Sequence, residues 1–596
     1  RKIRAEDRRQ WLQQTYDPHA YLDPTTDTVA FDDFVDRELI HFSHTDNIRS
    51  IGSVIDGLKP SQRKVLYACF KKGLVASSGG DIKGEMKVAQ LAGYVAEQTA
   101  YHHGEISLTS TIVKMAQSYV GANNIPLLVP SGQFGTRSLG GHDHASPRYI
   151  YTKLSHLTPL IFPPVDGSLL EYASDDGQVV EPMQYIPIIP MLLVNGCQGI
   201  GTGWSTKVPS YNPLDLIRAL EVALKMDRND GSNGAGTGAT AGGSDELSEL
   251  WEQVSSKVPL IPWYKGFNGT IKESSKRGPG DSVQYESTGR IETAATTQKT
   301  TPKKSAGRNG RDKILITELP IGIWTSDYKN FLIKSADAGT IKEFTEHHTS
   351  ENVHFEIYLH PTSTTTRTTT TANTNTLIPK KLNIKNMNLI SNINTSNMHA
   401  FDTYGHIKRY TSPYEVCMEH YICRLDCYNR RKVLLMKQYR YKEMVNGHKM
   451  RFIRDMLHDR IVLKETIVGS NTTSSTIPNT TPNTTPNTTP KSKTAREIGE
   501  EMIRMGYKSE AELLEIANNS SITSTSSSNS NSSYSAGKFD YLLNMPISSF
   551  TYEKMELLEE SSRNVLLKLK EIESKSAKEM WLHELQVLKK AFKATL

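Results

Sequence analysis

Apolar residues recur every three or four positions in two neighbouring stretches of the N-terminal part of the chain. The first runs from Val88 to Ala96 and the second from Ile106 to Ala116, with the segment YHHGE between them. Side chains at this spacing lie on one face of a helix. The pattern therefore predicts two short amphipathic helices joined by a turn that contains glycine.

The same periodicity continues over two much longer stretches towards the C-terminal end, at 412–456 and at 552–592. Both exceed the length of an ordinary helix in a globular domain, so they predict two long arms that pair antiparallel as a coiled coil. Between them, IGEEMIRMGYKSEAELLEIA predicts a small helical tip that is broken at Gly506. A plain helical bundle is the alternative for this region.

Short apolar runs bounded by proline and glycine indicate strands in the middle of the chain. KILITELP and VHFEIYLH are runs of this kind, and they predict a mixed α/β region over 245–360. The run from Met191 to Val194 predicts a buried core strand. Other stretches contain too few apolar residues to offset the entropy of ordering, so they predict disordered loops or linkers: 231–244, 272–310, 362–376, 470–490 and 518–537.

Composition and charge exclude only a few classes of protein. The chain has 70 basic and 64 acidic residues, a net charge of +6, which permits a polyanionic partner without requiring one. No apolar run approaches the length of a membrane span, and the start RKIRAEDRRQWL lacks the hydrophobic region of a signal peptide. We therefore expect a soluble, intracellular protein that makes no membrane contact.

The cysteines are too few and too scattered to form a disulfide framework. Only the segment CMEHYICRLDC is clustered, and Cys417, His420, Cys423 and Cys427 could suggest a metal site. Spacings of three or four on an amphipathic stretch are also what one buried helix face produces. The buried face is the favoured interpretation.

A basic stretch, DGLKPSQRKVLYACFKKG, precedes the first of the two short helices. Together, the two helices and their turn resemble a helix-turn-helix, whose second helix would enter a DNA groove. Cations beside such a helix suit phosphate contacts. The alternatives are a pair of packed helices and a solvated charged face.

The segment GHDHASPRYIYTKL presents Arg148 and Tyr149 where the chain cannot easily be helical. Glycines at 132–141 allow tight backbone geometry, and Pro147 disfavours the helical conformation at the residue before it. A phenol with a pKa of about 10 becomes a useful nucleophile only when cations stabilise its phenolate. Arg148 supplies a cation, although an ordinary cation–π pair explains the same two residues.

The glycines of GIGTGW, at 199, 201 and 203, resemble a nucleotide-binding loop. No GxGxxG or P-loop pattern is completed around them, so a structural turn is the favoured interpretation.

Several of these segments occur in an order that resembles one family. DGLKPSQRKVLY, KVAQLAGYVAEQTAYHHGE, GQFGTR, ASPRYIYTKL and EPMQYIPIIPMLLVNGCQGIGTGWSTKVPSYNP together resemble the breakage-reunion region of eukaryotic type IIA DNA topoisomerases. The segment YHHGE favours the eukaryotic over the gyrase-like branch. The resemblance covers most of the chain outside the low-complexity stretches.

The resemblance implies an α+β multidomain fold. Residues 1–30 would be a connector that follows an absent Toprim domain, and 31–180 a winged-helix (helix-turn-helix) domain that carries the nucleophile loop. Residues 181–411 would form a mixed α/β tower, or shoulder, with low-complexity inserts. Residues 412–596 would form antiparallel coiled-coil arms with a helical exit-gate tip.

Roles for individual residues also follow from the resemblance. Tyr149 would attack a DNA phosphate and form a 5′-phosphotyrosyl link, while Arg148, Arg63 and His103 would stabilise the transferring phosphoryl group. Ile188, flanked by prolines in YIPIIP, would wedge between bases and bend the DNA. The implied DNA contacts are Lys59, Lys64, His102, Gln133 and Arg137.

The resemblance implies cofactors that this chain does not hold. Mg²⁺ would be bound by a Toprim domain, but the sequence contains no DxDxD run and no EGDSA-like segment. ATP would bind an ATPase region that is also missing. The chain is thus expected to act in the nucleus as the double-stranded-DNA-binding part of a homodimeric isomerase, and to cleave poorly alone. The alternatives are a non-catalytic architectural DNA-binding protein and a purely structural coiled-coil protein.

Overall fold

The structure is a computed structural model that describes residues 4–74, 84–227, 243–278, 282–293, 313–359, 384–458, 460–461, 464–465, 491–492, 495–518 and 538–596. The chain divides into two compact units, one of Arg1–Cys427 with Met580–Leu596 and one of Tyr428–Glu579. Helices and strands are mixed along the chain, as the α+β prediction requires.

The N-terminal part of the first unit is mainly helical. Its helices are α1 (Ala5–Thr15), α2 (Phe31–Phe34), α3 (Ile40–Ser50), α4 (Pro60–Lys72), α5 (Val88–Gln98), α6 (Glu105–Ala116) and α7 (Thr158–Ile161). The predicted pair of short helices is confirmed as α5 and α6, with YHHGE in the turn between them. Helix α4 begins with Pro60 at its first position and ends at Gly73, whose φ of 71° suits glycine.

Short antiparallel strand pairs join these helices. Strand β1 (Met86–Lys87) pairs with β2 (Tyr151–Thr152), β3 (Tyr172–Asp175) with β4 (Gln178–Pro182), and β5 (Cys197–Ile200) with β6 (Ser205–Val208). The predicted strand from Met191 to Val194 is wrong, because these residues form the short helix α8 (Met191–Asn195). Burial was predicted correctly, but an apolar run this short fits a buried helix equally well.

The rest of the first unit contains the predicted mixed α/β region. Its helices are α9 (Pro213–Met226), α10 (Gly243–Lys257) and α11 (Thr325–Asp337), and its strands are β7 (Thr270–Glu273), β8 (Gln284–Thr288), β9 (Arg290–Thr293), β10 (Lys313–Glu318), β11 (Glu343–Glu346), β12 (Phe355–Tyr358), β13 (Ile390–Asn394), β14 (Met398–Phe401) and β15 (Ile407–Tyr410). Sheets form in the orders β11-β12-β10-β9 and β13-β8-β7. Alternate residues of β10 are buried against α11, with Ile314 and Ile316 in the core.

The prediction that 272–310 is a disordered insert is wrong for its described residues. Strand β8 and strand β9 fall within this range, and β8 buries Tyr285 and Ser287 on alternate positions. Side chains of a strand alternate between the two faces of a sheet, so a few apolar residues suffice to cover one face. The low apolar content of this range therefore did not reveal its strands. The predicted inserts at 362–376 and 470–490, and nearly all of those at 231–244 and 518–537, lie outside the described residues.

The long helical stretches are present. Helix α12 (Pro413–Leu457) has 45 residues, and the later stretch is split into α16 (Tyr552–Ser574) and α17 (Ala577–Lys593). The split was not predicted; it coincides with Ser576, whose hydroxyl and backbone N–H exchange hydrogen bonds with Glu579 in a capping box. Between α12 and α16 in the sequence lie β16 (Lys464–Glu465), β17 (Lys491–Ser492), α13 (Ala495–Arg504), α14 (Glu510–Asn518) and α15 (Asp540–Leu543).

Within the second unit, α12 and α16 run antiparallel. Lys432 Nζ donates to the carbonyl of Lys575 at 2.7 Å, and Asn446 Nδ2 donates to Ser561 Oγ at 3.3 Å. Residues later in α12 therefore contact residues earlier in the segment 561–575, as antiparallel packing requires. Gly506, with φ of 77°, breaks the chain between α13 and α14 as predicted.

Three of the four residues of the cysteine and histidine cluster on α12 are buried, as the favoured interpretation predicts, and Cys423 is half-buried. Cys417, His420 and Cys427 are all buried. His420 shares a hydrogen bond of 2.8 Å with the carbonyl of Pro187, and burial lowers its pKa to about 3. Among the described helices, none combines the length and apolar composition that a bilayer crossing requires.

Candidate active site

The loop that carries Tyr149 is closed at its base by backbone pairing. Ser131 and Tyr151 exchange two hydrogen bonds, with N–O distances of 3.1 and 2.9 Å. We call residues 132–150 between them the nucleophile loop. The N–H of Ala145 donates to the carbonyl of Gln133 at 2.9 Å, which joins the two limbs. The ends of this irregular loop therefore lie close together.

Helix α5 fixes the backbone on both sides of Tyr149. The N–H of Ala89 donates to the carbonyl of Pro147 at 3.2 Å, and the N–H of Val88 donates to that of Ile150 at 3.0 Å. The first N–H groups of a helix lack partners within the helix, so they are available for such bonds. The N–H of Tyr149 itself donates to the carbonyl of Ser146 at 2.9 Å. The nucleophile candidate therefore projects from a fixed backbone.

The side chains of Arg148 and Tyr149 face solvent together. Tyr149 is 69% exposed, and the guanidinium carbon of Arg148 lies 5.6 Å from the centre of its ring. Arg148 Nε donates to Ser146 Oγ at 3.4 Å. A cation next to an accessible phenol can stabilise negative charge on the phenolate oxygen or on an incoming phosphate.

Arg63, expected to be catalytic, is held in a buried ion pair. Its Nε lies 2.7 Å from Asp56 Oδ2, and its Nη2 donates to Asp56 Oδ1 at 3.1 Å and to the carbonyl of Leu58 at 2.9 Å. Asp56 is fully buried and also accepts the N–H of Tyr185 at 3.0 Å. These bonds join Arg63 to the segment before α4 and engage its Nε and Nη2 donors.

Lys64 lies on α4 and Lys59 directly precedes it. The two ammonium groups differ in how far they are free to bind DNA. Lys64 Nζ donates to the carbonyl of Thr99 at 2.6 Å and to the Glu181 carboxylate at 2.9 Å, so it ties α4 to the α5–α6 turn and to β4. Lys59 Nζ is exposed and donates to the carbonyl of Gln198 at 2.8 Å, on strand β5. Lys59 is thus the better placed of the two for a DNA phosphate.

Three of the remaining candidates, His102, His103 and Gln133, are exposed. His102 Nε2 lies 3.8 Å from the Asp175 carboxylate at the end of β3. His103 packs edge-on against Tyr101 with 5.3 Å between ring centres. Gln133 lies in the nucleophile loop. All three are accessible to a macromolecular ligand.

Two of the residues predicted to contact DNA have buried side chains, which does not favour these roles. Arg137 is 3% exposed; its guanidinium forms an ion pair with Glu318 and donates to the carbonyl of Leu319 at 3.0 Å. Ile188 is fully buried, and its carbonyl accepts Trp581 Nε1 at 3.0 Å. The flanking prolines stiffen a core segment instead of an exposed hairpin.

Ile200 was not predicted as a candidate, yet its side chain is 79% exposed at the end of β5. The predicted structural turn is confirmed: residues 201–204 link β5 and β6, and a side-chain carbon at Gly199 would lie 1.8 Å from the carbonyl of Ser50. Arg9 Nε donates to the carbonyl of Gly203 at 2.7 Å, and Asn47 Nδ2 to that of Thr202 at 3.1 Å. This hairpin is therefore held firmly while Ile200 remains exposed.

Comparison with known proteins shows the family to which this chain belongs. The family model for the A subunit of DNA gyrase/topoisomerase IV matches residues 49–586, and that for the C-terminal associated domain of TOPRIM matches residues 1–47. The chain belongs to the type II DNA topoisomerase family. The resemblance stated from its motifs is confirmed.

Individual members of the topoisomerase family match along almost the whole chain. The chain is 36% identical to DNA topoisomerase 2 of Arabidopsis thaliana over 99% of its length and 36% identical to that of Saccharomyces cerevisiae over 100%. It spans 35% and 37% of the lengths of these relatives. The crystal structure of the Plasmodium falciparum topoisomerase II DNA-binding, cleavage and re-ligation domain matches with 32% identity and a TM-score of 0.73, over 100% of this chain and 68% of that one.

Proposed function

We propose that this chain binds double-stranded DNA and performs the reversible double-strand breakage and reunion of a type II topoisomerase, with Tyr149 as the nucleophile. The exposed Tyr149 phenol, on a backbone fixed by α5 and beside the Arg148 cation, is the observation that carries the proposal. A non-catalytic architectural protein would have no use for this combination.

The chemistry is a transesterification at phosphorus. The Tyr149 oxygen attacks a DNA phosphate, a P–O bond to the phenol forms, and the bond to the 3′ oxygen of the neighbouring nucleotide breaks. The phenol proton passes to water and the departing 3′ oxygen takes up another. Arg148 stabilises the charge on the phosphoryl oxygens. Because an aryl oxygen is a good leaving group, the 3′ hydroxyl can reverse the reaction without an input of energy.

In the part of the chain that the structure describes, no group of three or more His, Cys, Asp or Glu side chains is placed to hold a metal ion. The Mg²⁺ that the family uses is assigned to a Toprim domain, and ATP to an ATPase domain, both outside these residues. The steps above describe what Tyr149 and Arg148 contribute to the reaction.

The finer architecture belongs to the same proposal. Helices α4 to α6 with the β3–β4 hairpin form a winged-helix domain, the sheets around β10 form the tower, and α12 with α16 form coiled-coil arms that end in an exit gate. A homodimer in the nucleus would bring two Tyr149 residues to opposite strands. Duplex passage through the paired breaks would then relax or decatenate DNA.

A covalent-complex assay tests the proposed function. The chain, combined with a Toprim domain and Mg²⁺, is mixed with DNA labelled separately at each end and then denatured with detergent. We expect label to remain with the protein only for fragments joined through their 5′ ends. Binding to DNA without any covalent complex under these conditions would favour the architectural alternative.

The exposed hairpin supports a second prediction. Ile200 lies beside Gln198, whose carbonyl binds Lys59, so an apolar side chain and a cation project from the same place. Apolar wedges kink DNA by unstacking a base step. We expect Ile200→Ala to reduce the DNA bend angle, measured by energy transfer between fluorophores on the DNA ends, with less than about a tenfold loss of affinity.

A matched substitution makes that test specific. Val179→Ala also removes an exposed β-branched side chain, 59% exposed, from a hairpin strand. We expect this variant to keep the full bend angle. An unchanged angle in Ile200→Ala would remove the wedge role from Ile200.

A further inference from the structure

A single buried side chain holds the two limbs of the nucleophile loop together from outside. Gln117 directly follows α6 and is 7% exposed. Its Nε2 donates to the carbonyl of Phe134 at 2.9 Å and to that of Gly141 at 3.1 Å. The two carbonyls lie on opposite limbs of the loop, so one amide nitrogen joins them.

The surrounding geometry allows little variation at this point. Tyr119 OH lies 3.4 Å from Gln117 Oε1 and can donate to it. Gly141 has a φ of 81°, and a side-chain carbon there would lie 2.4 Å from Gln117 Nε2. The side-chain amide of Gln117 thus approaches the backbone of residue 141 so closely that this position requires glycine.

The bridge acts on the same loop that presents Arg148 and Tyr149. Gln133, beside Phe134, accepts the N–H of Ala145 from the opposite limb, and Thr136 donates its N–H and hydroxyl to Asp143 at 2.8 and 2.5 Å. Loss of the Gln117 bridge would leave two buried carbonyls without a donor, which favours opening of the limbs. An opened loop no longer holds Tyr149 at a constant position relative to α5.

We propose that Gln117 is a positioning residue for the cleavage reaction: its amide sets the geometry of the nucleophile loop and thereby the approach of Tyr149 to phosphorus. The inference rests on the proposed function of Tyr149. Because Gln117 is buried, we expect it to contribute to the rate of cleavage and not to the affinity for DNA.

Two substitutions of nearly equal size separate positioning from general packing. Gln117→Glu keeps the shape but replaces the donating group by an acceptor at neutral to high pH. Gln117→Met keeps the length and has no donor at any pH. We expect both to slow single-turnover formation of the covalent complex roughly ten- to a hundredfold, with a dissociation constant for DNA within about twofold of the unsubstituted chain, since no phosphate contact is lost.

The pH profile distinguishes the two variants. Burial and the two facing carbonyls disfavour the charged form of the introduced carboxyl, so they raise its pKa above the ordinary value of about 4.3. Once protonated, that carboxyl regains one donor. The cleavage rate of Gln117→Glu relative to the unsubstituted chain should therefore recover between pH 8.5 and pH 6, whereas the relative rate of Gln117→Met should stay constant.

Amide hydrogen exchange provides a readout that does not depend on catalysis. We expect the N–H groups of Ala145 and Tyr149 to exchange faster in both variants at pH 8. Gln253→Glu, which adds the same charge at an exposed position of α10, is the control and should change neither exchange nor cleavage. If exchange and cleavage in both Gln117 variants match the unsubstituted chain, the inference is wrong. If the unsubstituted chain forms no covalent complex even with a Toprim domain and Mg²⁺ added, the proposed function fails, while exchange still decides whether Gln117 holds the loop.

Discussion

Tyr149→Phe is expected to abolish the covalent protein–DNA complex. The substitution removes only the phenol oxygen, which is the atom that forms the bond to phosphorus, so the rate should fall by roughly 10³-fold or more. The loop should be unaffected, because the bonds that fix it around position 149 are made by the backbone. DNA affinity, measured by fluorescence anisotropy, should stay within about twofold since the charged contacts remain.

Tyr151 provides the matched control. It lies two positions further along, is 39% exposed, and has Lys87 Nζ 5.8 Å from its ring centre. Tyr151→Phe keeps the ring and the cation–π contact, so we expect normal amounts of covalent complex. Complex that survives in Tyr149→Phe and disappears in Tyr151→Phe would show that the wrong phenol has been assigned.

The features best predicted from the sequence are those that depend on local periodicity. Helices α5 and α6 nearly coincide with the apolar runs Val88–Ala96 and Ile106–Ala116, and the 45-residue helix α12 was anticipated from its spacing alone. In each case the apolar face is repeated often enough to fix the period. Where only a few residues carried the signal, as at Met191–Val194, the burial was right and the type of element was wrong.

The site was predicted unevenly for a related reason. Arg148 and Tyr149 project from a loop that glycine and proline make irregular, so their exposure follows from the local sequence. Ile188 and Ile200 are both isoleucines in segments rich in glycine or proline, yet one is fully buried and the other 79% exposed. That difference is set by tertiary packing, in particular by Trp581, which lies far away in the sequence. Partners such as Asp56 and Glu318 were missed for the same reason.

Arg137→Gln is expected to destabilise the protein rather than to lower its affinity for DNA. The side chains of Arg137 and Glu318 are 4% and 2% exposed, and removal of the guanidinium leaves a buried carboxylate without its counter-charge. Breaking such a pair costs roughly 3–5 kcal/mol in free energy of unfolding. Denaturant unfolding followed by tryptophan fluorescence would measure this loss.

The salt dependence of DNA binding separates this role from the phosphate contact that the sequence suggested. Loss of one phosphate contact would make the slope of log K against log salt concentration less steep by about 0.9, whereas a buried pair leaves the slope unchanged. The double variant Arg137→Met with Glu318→Gln removes both charges and should recover most of the lost stability, because neither partner is then left charged and buried. Glu318 also accepts the N–H of Asn268 at 3.0 Å, which an amide oxygen at that position can retain. A changed slope with unchanged stability in Arg137→Gln would mean that Arg137 leaves its buried partner to bind DNA.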